Sequence, residues 1–186
     1  MLTKKHIRNK ISVKRNKLSE EFISFNSDII MRKLIEKKEY KKAKIIYIYM
    51  SKIGEVDTKN IIKHSLEVGK KVAIPKIINE EMYFYYINSI EDTKKGYFDI
   101  NEPINIEENN LAIPKGAEEL IIMPGVAFDY NKHRIGCGKG FYDKYLSKNK
   151  FTKKIAITFN FQILENIPNS EFDVLPDIII TEKCGI

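Results

Sequence analysis

The chain has 186 residues, 43% hydrophobic and 31% charged. That is enough for one domain with a core of its own, and too mixed for a disordered or fibrous chain. Its longest apolar run, Ile45 to Met50, falls far short of the roughly 18 residues a membrane span needs. A formal net charge of +7 favours anionic partners, although the basic residues are interleaved with acids rather than massed in one block.

Along the chain, the opening Met1-Leu-Thr-Lys-Lys-His-Ile-Arg is charged with no apolar run behind it, so a cytoplasmic location is expected rather than a secretory one. From about Thr3 to Asn16 the spacing of Ile7 and Ile11 predicts an amphipathic helix. Lys4 and Arg8, four residues apart on a neighbouring face, can reach one anion together or form a solvated basic face. Ser19 is an N-cap for a second helix, with Glu20 and Glu21 in its first turn and Phe22, Phe25, Ile29 and Leu34 as its core stripe. Ile45 to Met50 reads as a buried strand. Asp57 or Thr58 caps the next helix, which ends at Gly69, and Val72 to Ile74 is a second strand. Strand, helix and strand in this order predict a right-handed parallel crossover and a sheet with helices on both faces. Met82 to Ile87 adds a strand whose Tyr83, Phe84, Tyr85 and Tyr86 divide between core and ligand wall. Residues 88 to 118 read as a long connecting loop. Leu120 to Met123, Ile155 to Phe159 and Ile178 to Thr181 supply further strands, and all 186 residues read as one domain.

The richest stretch joins the strand Leu120 to Met123 to a helix starting near Phe141. Gly136, Gly138 and Gly140 free the backbone to turn N–H groups toward a ligand, Arg134 and Lys139 bring positive charge, and the helix N-terminus adds its dipole. Asp143, in the first turn, is placed to hold a cation against bound phosphate. The loop is no Walker A, because Gly140 follows Lys139, and its glycine spacing fails the dinucleotide pattern. Cys137 and Cys184 form no Cys-x-x-Cys pair and no zinc spacing with His6, His64 and His133, so no structural metal is expected. Cys137 lacks a placed base and reads as a spacer rather than a nucleophile.

The run from Leu120 to Leu146, with its Pro-Gly-x-x-Phe-Asp, its Arg-Ile-Gly-x-Gly-Lys-Gly and its aromatic-Tyr-Asp, resembles the 5-formyltetrahydrofolate cyclo-ligase family, also called methenyltetrahydrofolate synthetases. Lys4-Lys5-His6-Ile7-Arg8, Ile48 to Ser51 followed by Glu55, and Phe172-Asp-Val-Leu-Pro-Asp177 extend the likeness over nearly the whole chain. The resemblance implies a three-layer α/β/α fold, modified Rossmann-like, with a mostly parallel sheet. It implies ATP-dependent closure of 5-formyltetrahydrofolate to 5,10-methenyltetrahydrofolate with release of ADP and phosphate, assisted by Mg2+. By position, Lys4, Arg8, Arg134, Ile135, Gly136, Cys137, Gly138, Lys139, Gly140, Phe141 and Tyr142 would bind the nucleotide, with Lys139 and Arg134 catalytic. Met50, Glu55 and the residues from Cys137 to Phe141 would bind the reduced folate, and Asp143 and Asp173 the magnesium. ATP and a reduced folate, with or without a polyglutamate tail, are the expected partners of a monomer that meets neither nucleic acid nor membrane.

Two positions depart from the family pattern: Lys132 where glycine is usual, within the turn from Tyr130 to His133, and Phe141 where tyrosine is usual. Asp177 needs no role beyond a cap at a strand start. Two rivals stand beside this reading. A basic nucleic-acid module would fit the charge and the aromatics but leaves Asp143 and the glycines unexplained. A sugar-phosphate isomerase or acyl-transferase of similar fold would have no use for the Gly-Lys-Gly loop.

Overall fold

The computed structural model describes residues 3–96 and 99–186; of the expected 88–118 loop, Tyr97 and Phe98 lie outside the described residues, as do Met1 and Leu2 at the charged start. Helix α1, Lys4–Arg15, begins where the Thr3 side chain accepts from His6 N, and it buries Ile7 and Ile11 as the periodicity predicts. Helix α2, Glu20–Glu36, is capped by the Ser19 hydroxyl, which accepts from Phe22 N. Its inner face differs from the expected stripe. Asn26, Ser27, Ile30 and Leu34 are buried, Ile29 is only partly so, and Phe25 stands 66% exposed. Ser27 tolerates burial because its hydroxyl accepts Asp57 N at 2.9 Å, which turns the helix away from Phe25.

After a short α3, Lys38–Lys42, strand β1 runs Ile45–Ile48, two residues shorter than expected. Helix α4, Lys59–Glu67, follows. Of its two candidate caps, Asp57 meets the helix, accepting Lys59 N at 3.0 Å, while the Thr58 hydroxyl donates to Tyr49 O. Gly69 ends it in the left-handed region. Strands β2, Lys71–Ile78, and β3, Glu81–Ile87, form a hairpin about Asn79 and Glu80, both at positive φ. The expected 88–118 loop is more structured than its composition suggests. Within it β4, Thr93–Lys95, pairs antiparallel with β5, Asn101–Pro103, and the buried Lys76–Glu102 pair at 2.8 Å ties β5 to β2.

The remainder supplies β6, Glu119–Met123; β7, Ala127–Asp129; β8, Arg134–Ile135; α5, Phe141–Lys148; β9, Lys153–Ile157; β10, Ile163–Leu164; and β11, Ile178–Ile180. The main sheet has the order β11-β9-β6-β1-β2-β3, parallel throughout except for β2 with β3. Alternate side chains enter separate cores. Ile46, Ile48, Val72, Leu120 and Ile122 pack with Ile30 and Leu34 of α2 and Ile61 and Ile62 of α4. Tyr47, Ala73, Ile121 and Met123 pack with Tyr145 and Leu146 of α5. Both faces are therefore covered, which is why these strands read as unbroken apolar runs. The sheet's edges are covered as well: Ile179 and Ile186 exchange hydrogen bonds of 2.9 Å beyond β11, and Ala112 N donates to Phe84 O on the outer side of β3.

A small sheet, β10-β7-β8, lies against α1, with Ile7 and Ile11 packed on Val126, Ala127, Ile135 and Ile167. The turn between β7 and β8 is organised by buried Asp129, whose carboxylate accepts Asn131 N and His133 N and pairs with His133 Nδ1. Lys132 takes φ 68° here. It occupies the left-handed conformation that glycine adopts without strain, at a cost of about 1 kcal/mol, and its Nζ donates to Asp177 O. Asp177 is structural: its carboxylate accepts Lys154 N at 2.7 Å and pairs with Lys153 and Lys154, aligning β11 with β9.

Candidate active site

A cleft opens where β1 and β6 end, at the carboxyl edge of the parallel strands, the place where such sheets collect ligands. One wall is Tyr49 and Met50 after β1 with Lys52 and Glu55 beyond. The floor is Pro124 and Gly125 after β6. The far wall is Gly136, Cys137, Lys139 and Gly140 with Phe141, Tyr142 and Asp143 of α5, and Pro75, Ile77, Met82 and Ile100 close the side. The structure thus gathers Met50, Glu55, Arg134, Gly136, Cys137, Lys139, Gly140, Phe141, Tyr142 and Asp143 around one space. Lys4, Arg8, Ile135, Gly138 and Asp173, and the expected aromatic wall of β3, are not among the residues that line this cleft. The Ile135 side chain is 1% exposed, sealed against α1, and its carbonyl is taken by Val126 N. Tyr83, Phe84, Tyr85 and Tyr86 do not line the cleft, since Phe84 and Tyr86 join the second core and Met82 is the β3 residue that faces it. Lys4 and Asp173 stand outside the lining, paired with each other at 2.7 Å. Arg8 stands outside it too, donating Nε to Gly136 O at 2.8 Å.

Local backbone explains the loop. Gly138 and Gly140 adopt φ 104° and 68°, and Gly140 is the N-cap of α5 with no side chain over the helix's free amides. A carbon at Gly138 would sit 3.4 Å from the Arg8 guanidinium carbon, so the loop is also packed on α1. Arg134 is the rigid cation of the site, with Nη2 on Asp143 Oδ1 at 2.6 Å and Nη1 on Pro124 O at 3.3 Å. Lys139 is exposed and makes no hydrogen bond or ion pair among the described residues. Cys137 is likewise exposed. The Tyr142 hydroxyl is buried without a hydrogen-bond partner; burial pushes it well above the usual phenol range, against the opposing pull of Arg134.

Asp143 Oδ1 serves Arg134 and Val174 N, while Asp143 Oδ2 accepts no hydrogen bond among the described residues. The Asp173 carboxylate receives Lys4, Ser170 N and the Ser170 hydroxyl. The Val174 contact sets Asp143 beside the segment that carries Asp173. No cluster of three or more metal-binding side chains exists among the described residues. A hard cation held here would rest on oxygens of these two carboxylates, on water and on a ligand's own oxygens.

The model of the 5-formyltetrahydrofolate cyclo-ligase family matches residues 1–182. The chain belongs to that family. It is 30% identical to the mouse 5-formyltetrahydrofolate cyclo-ligase, over 96% of this chain and 93% of the mouse protein. Among solved structures, the 5,10-methenyltetrahydrofolate synthetase of Aquifex aeolicus superposes with a TM-score of 0.85 at 32% identity, covering 99% of this chain and 92% of that one. The synthetase of Mycoplasma pneumoniae, at 24% identity and a TM-score of 0.72, shares the fold over 97% of this chain and 99% of its own. The fold common to this chain and those structures is mixed α/β with a mostly parallel central sheet.

Reading from sequence missed Arg15, whose Nη1 donates to Glu55 Oε1 at 3.1 Å and whose Nη2 donates to Gly125 O at 2.6 Å. A signal was present. Arg15 follows Lys4 by eleven residues, three full helical turns, so Lys4, Arg8 and Arg15 form one cationic stripe along α1.

Proposed function

We propose that this chain closes 5-formyltetrahydrofolate to 5,10-methenyltetrahydrofolate at the expense of ATP, releasing ADP and phosphate. The observation that carries the reading is a single cleft in which a glycine-lysine-glycine loop at a helix N-terminus faces a wall bearing Met50 and the carboxylate of Glu55. A polyphosphate and a flat, donor-edged heterocycle require those two surfaces side by side.

Backbone N–H groups of the loop and of the first turn of α5 receive the nucleotide phosphates, with Lys4, Arg8 and Arg134 adding fixed charge. The formyl oxygen attacks the terminal phosphorus as its bond to ADP breaks. The neighbouring anilino nitrogen then attacks the formyl carbon and loses its proton, and phosphate departs with the former formyl oxygen. Little covalent chemistry falls to the protein, whose part is to align two anionic reactants and to set Lys139 against charge on the phosphoryl group in transfer. Glu55 accepts from the amino-pyrimidine edge of the pterin, and Phe141 supplies an aromatic wall. Asp143 and Asp173 would hold a magnesium ion, which would supply charge neutralisation to the phosphates when bound.

The layered core described above supports a three-layer α/β/α, modified Rossmann-like architecture. We place the activity in the cytoplasm, in a monomer that takes folates with or without a polyglutamate tail. No helix among the described residues is long and apolar enough to cross a membrane. The test is spectroscopic. The methenyl product is a conjugated amidinium, so near-ultraviolet absorbance rises only when ATP, magnesium and the formyl folate are all present. A flat trace with all three present overturns the assignment.

A further inference from the structure

Arg15 belongs to none of the motifs that carried the functional reading, yet it is bonded to two cleft-lining groups at once, Glu55 and Gly125. The Arg15 and Glu55 side chains are 13% and 9% exposed. The second Glu55 oxygen accepts Lys52 N at 3.1 Å, so the plane of the carboxylate is fixed from two sides. Gly125 O is held twice as well, by Arg15 and by Gln162 Nε2 at 3.1 Å. The loop bearing Glu55 is packed directly on α1, where a carbon added at Gly54 would lie 2.8 Å from Arg15 Cβ.

We propose that Arg15 is a positioning residue for folate recognition and acts through Glu55. It fixes the carboxylate at the angle at which the remaining lone pairs face the cleft and receive paired N–H donors of a 2-aminopyrimidine ring. The inference rests on the cyclo-ligase reading given above. A guanidinium suits the task because its planar fork spans a carboxylate and a carbonyl together, whereas an ammonium is a point charge that serves one of them. The phosphate loop draws nothing directly from Arg15, so the effect is confined to one substrate.

The experiment measures KM for each substrate in Arg15→Met, Arg15→Lys, Glu55→Gln and the Arg15→Met/Glu55→Gln double variant, with thermal unfolding of each. Arg15→Met raises the KM for formyl folate about tenfold to a hundredfold, the loss of charge-assisted hydrogen bonding. The KM for ATP stays within about twofold of the parent. Arg15→Lys falls between parent and Arg15→Met, and carries the test alone if Arg15→Met does not fold. The double variant has a folate KM no higher than the worse single variant, because both changes remove one interaction. Equal rises in both KM values, multiplied penalties in the double variant, or an unchanged folate KM in a folded variant overturns the proposal while leaving the cyclo-ligase assignment standing. Absence of turnover in the parent protein overturns both.

Discussion

Lys139 and Arg134 carry like charge in the same loop and are held in opposite ways. Lys139 is exposed and uncommitted, whereas Arg134 is 4% exposed and bonded at both terminal nitrogens. Their replacement should therefore differ in its effect on stability. Lys139→Ala is expected to lower kcat by about a hundredfold to a thousandfold, the typical loss for one preorganised charge at a developing oxyanion, with its unfolding midpoint unmoved. Arg134→Ala removes the charged partner of Asp143, whose side chain is 25% exposed and keeps Val174 N, and is expected to cost about 2 kcal/mol of stability, the range of a charge-assisted hydrogen bond. Turnover and thermal unfolding of the two variants, side by side, check the contrast. The glycine and lysine spacing marked the loop in the sequence, and Gly136, Cys137, Lys139 and Gly140 do line the cleft. Nothing local could show that Arg134 would be spent on Asp143, since that pairing depends on how β8 meets α5.

At the scale of an element, α1 spans the site. Lys4 reaches Asp173, Arg8 reaches the glycine loop at Gly136 and Arg15 reaches Glu55, all from one stripe of the helix. Asp173 records the contact. Burial alone would raise its carboxyl, and hydrogen bonds from Lys4 and from Ser170 N outweigh it, so the group sits below the ordinary carboxylate range. In Lys4→Met the burial remains and the ammonium is gone; Asp173 is expected to titrate at higher pH in carboxylate-carbon NMR, and an unmoved titration would disprove the coupling. The helix itself was legible from Ile7 and Ile11, because a period of 3.6 is a local property. The face of α2 was misjudged by about one residue, because Phe25 is greasier than Ser27 and only a partner from another element, Asp57 N, makes Ser27 the inward residue. The β4–β5 hairpin escaped notice for the same reason: its strands are three residues long and held by the Lys76–Glu102 pair rather than by their own pattern.

For the whole molecule the titrating groups bound the stable pH range from both ends. Tyr47 and Tyr145 are buried in the second core, and burial pushes both hydroxyls well above their ordinary value. The unfolded chain releases these protons from about pH 10 while the folded one keeps them. Their contribution is whole below about pH 10 and is lost as pH rises beyond it. Asp173 and Asp177 lie below their ordinary value, so their contribution is whole above about pH 4 and is lost as pH falls toward the folded values. Urea midpoints measured from acid to alkali should trace a plateau between those limits, and Tyr47→Phe should extend the alkaline shoulder. The parallel sheet was readable as a class from alternating strands and helices, but the order that sets β6 beside β1 is a product of crossovers and left no local mark.

The ties of α1 also join parts of the chain that are remote in sequence: Lys4 and Asp173 are 169 residues apart, Arg8 and Gly136 128, Arg15 and Gly125 110. Contacts of such span close after local structure has formed, because each must first overcome the entropy of a long loop. The sheet is therefore expected to form before the cleft. In mild denaturant α1 is expected to lose amide protection before the strands do, and turnover to fall before far-ultraviolet ellipticity; coincident transitions would count against that ordering.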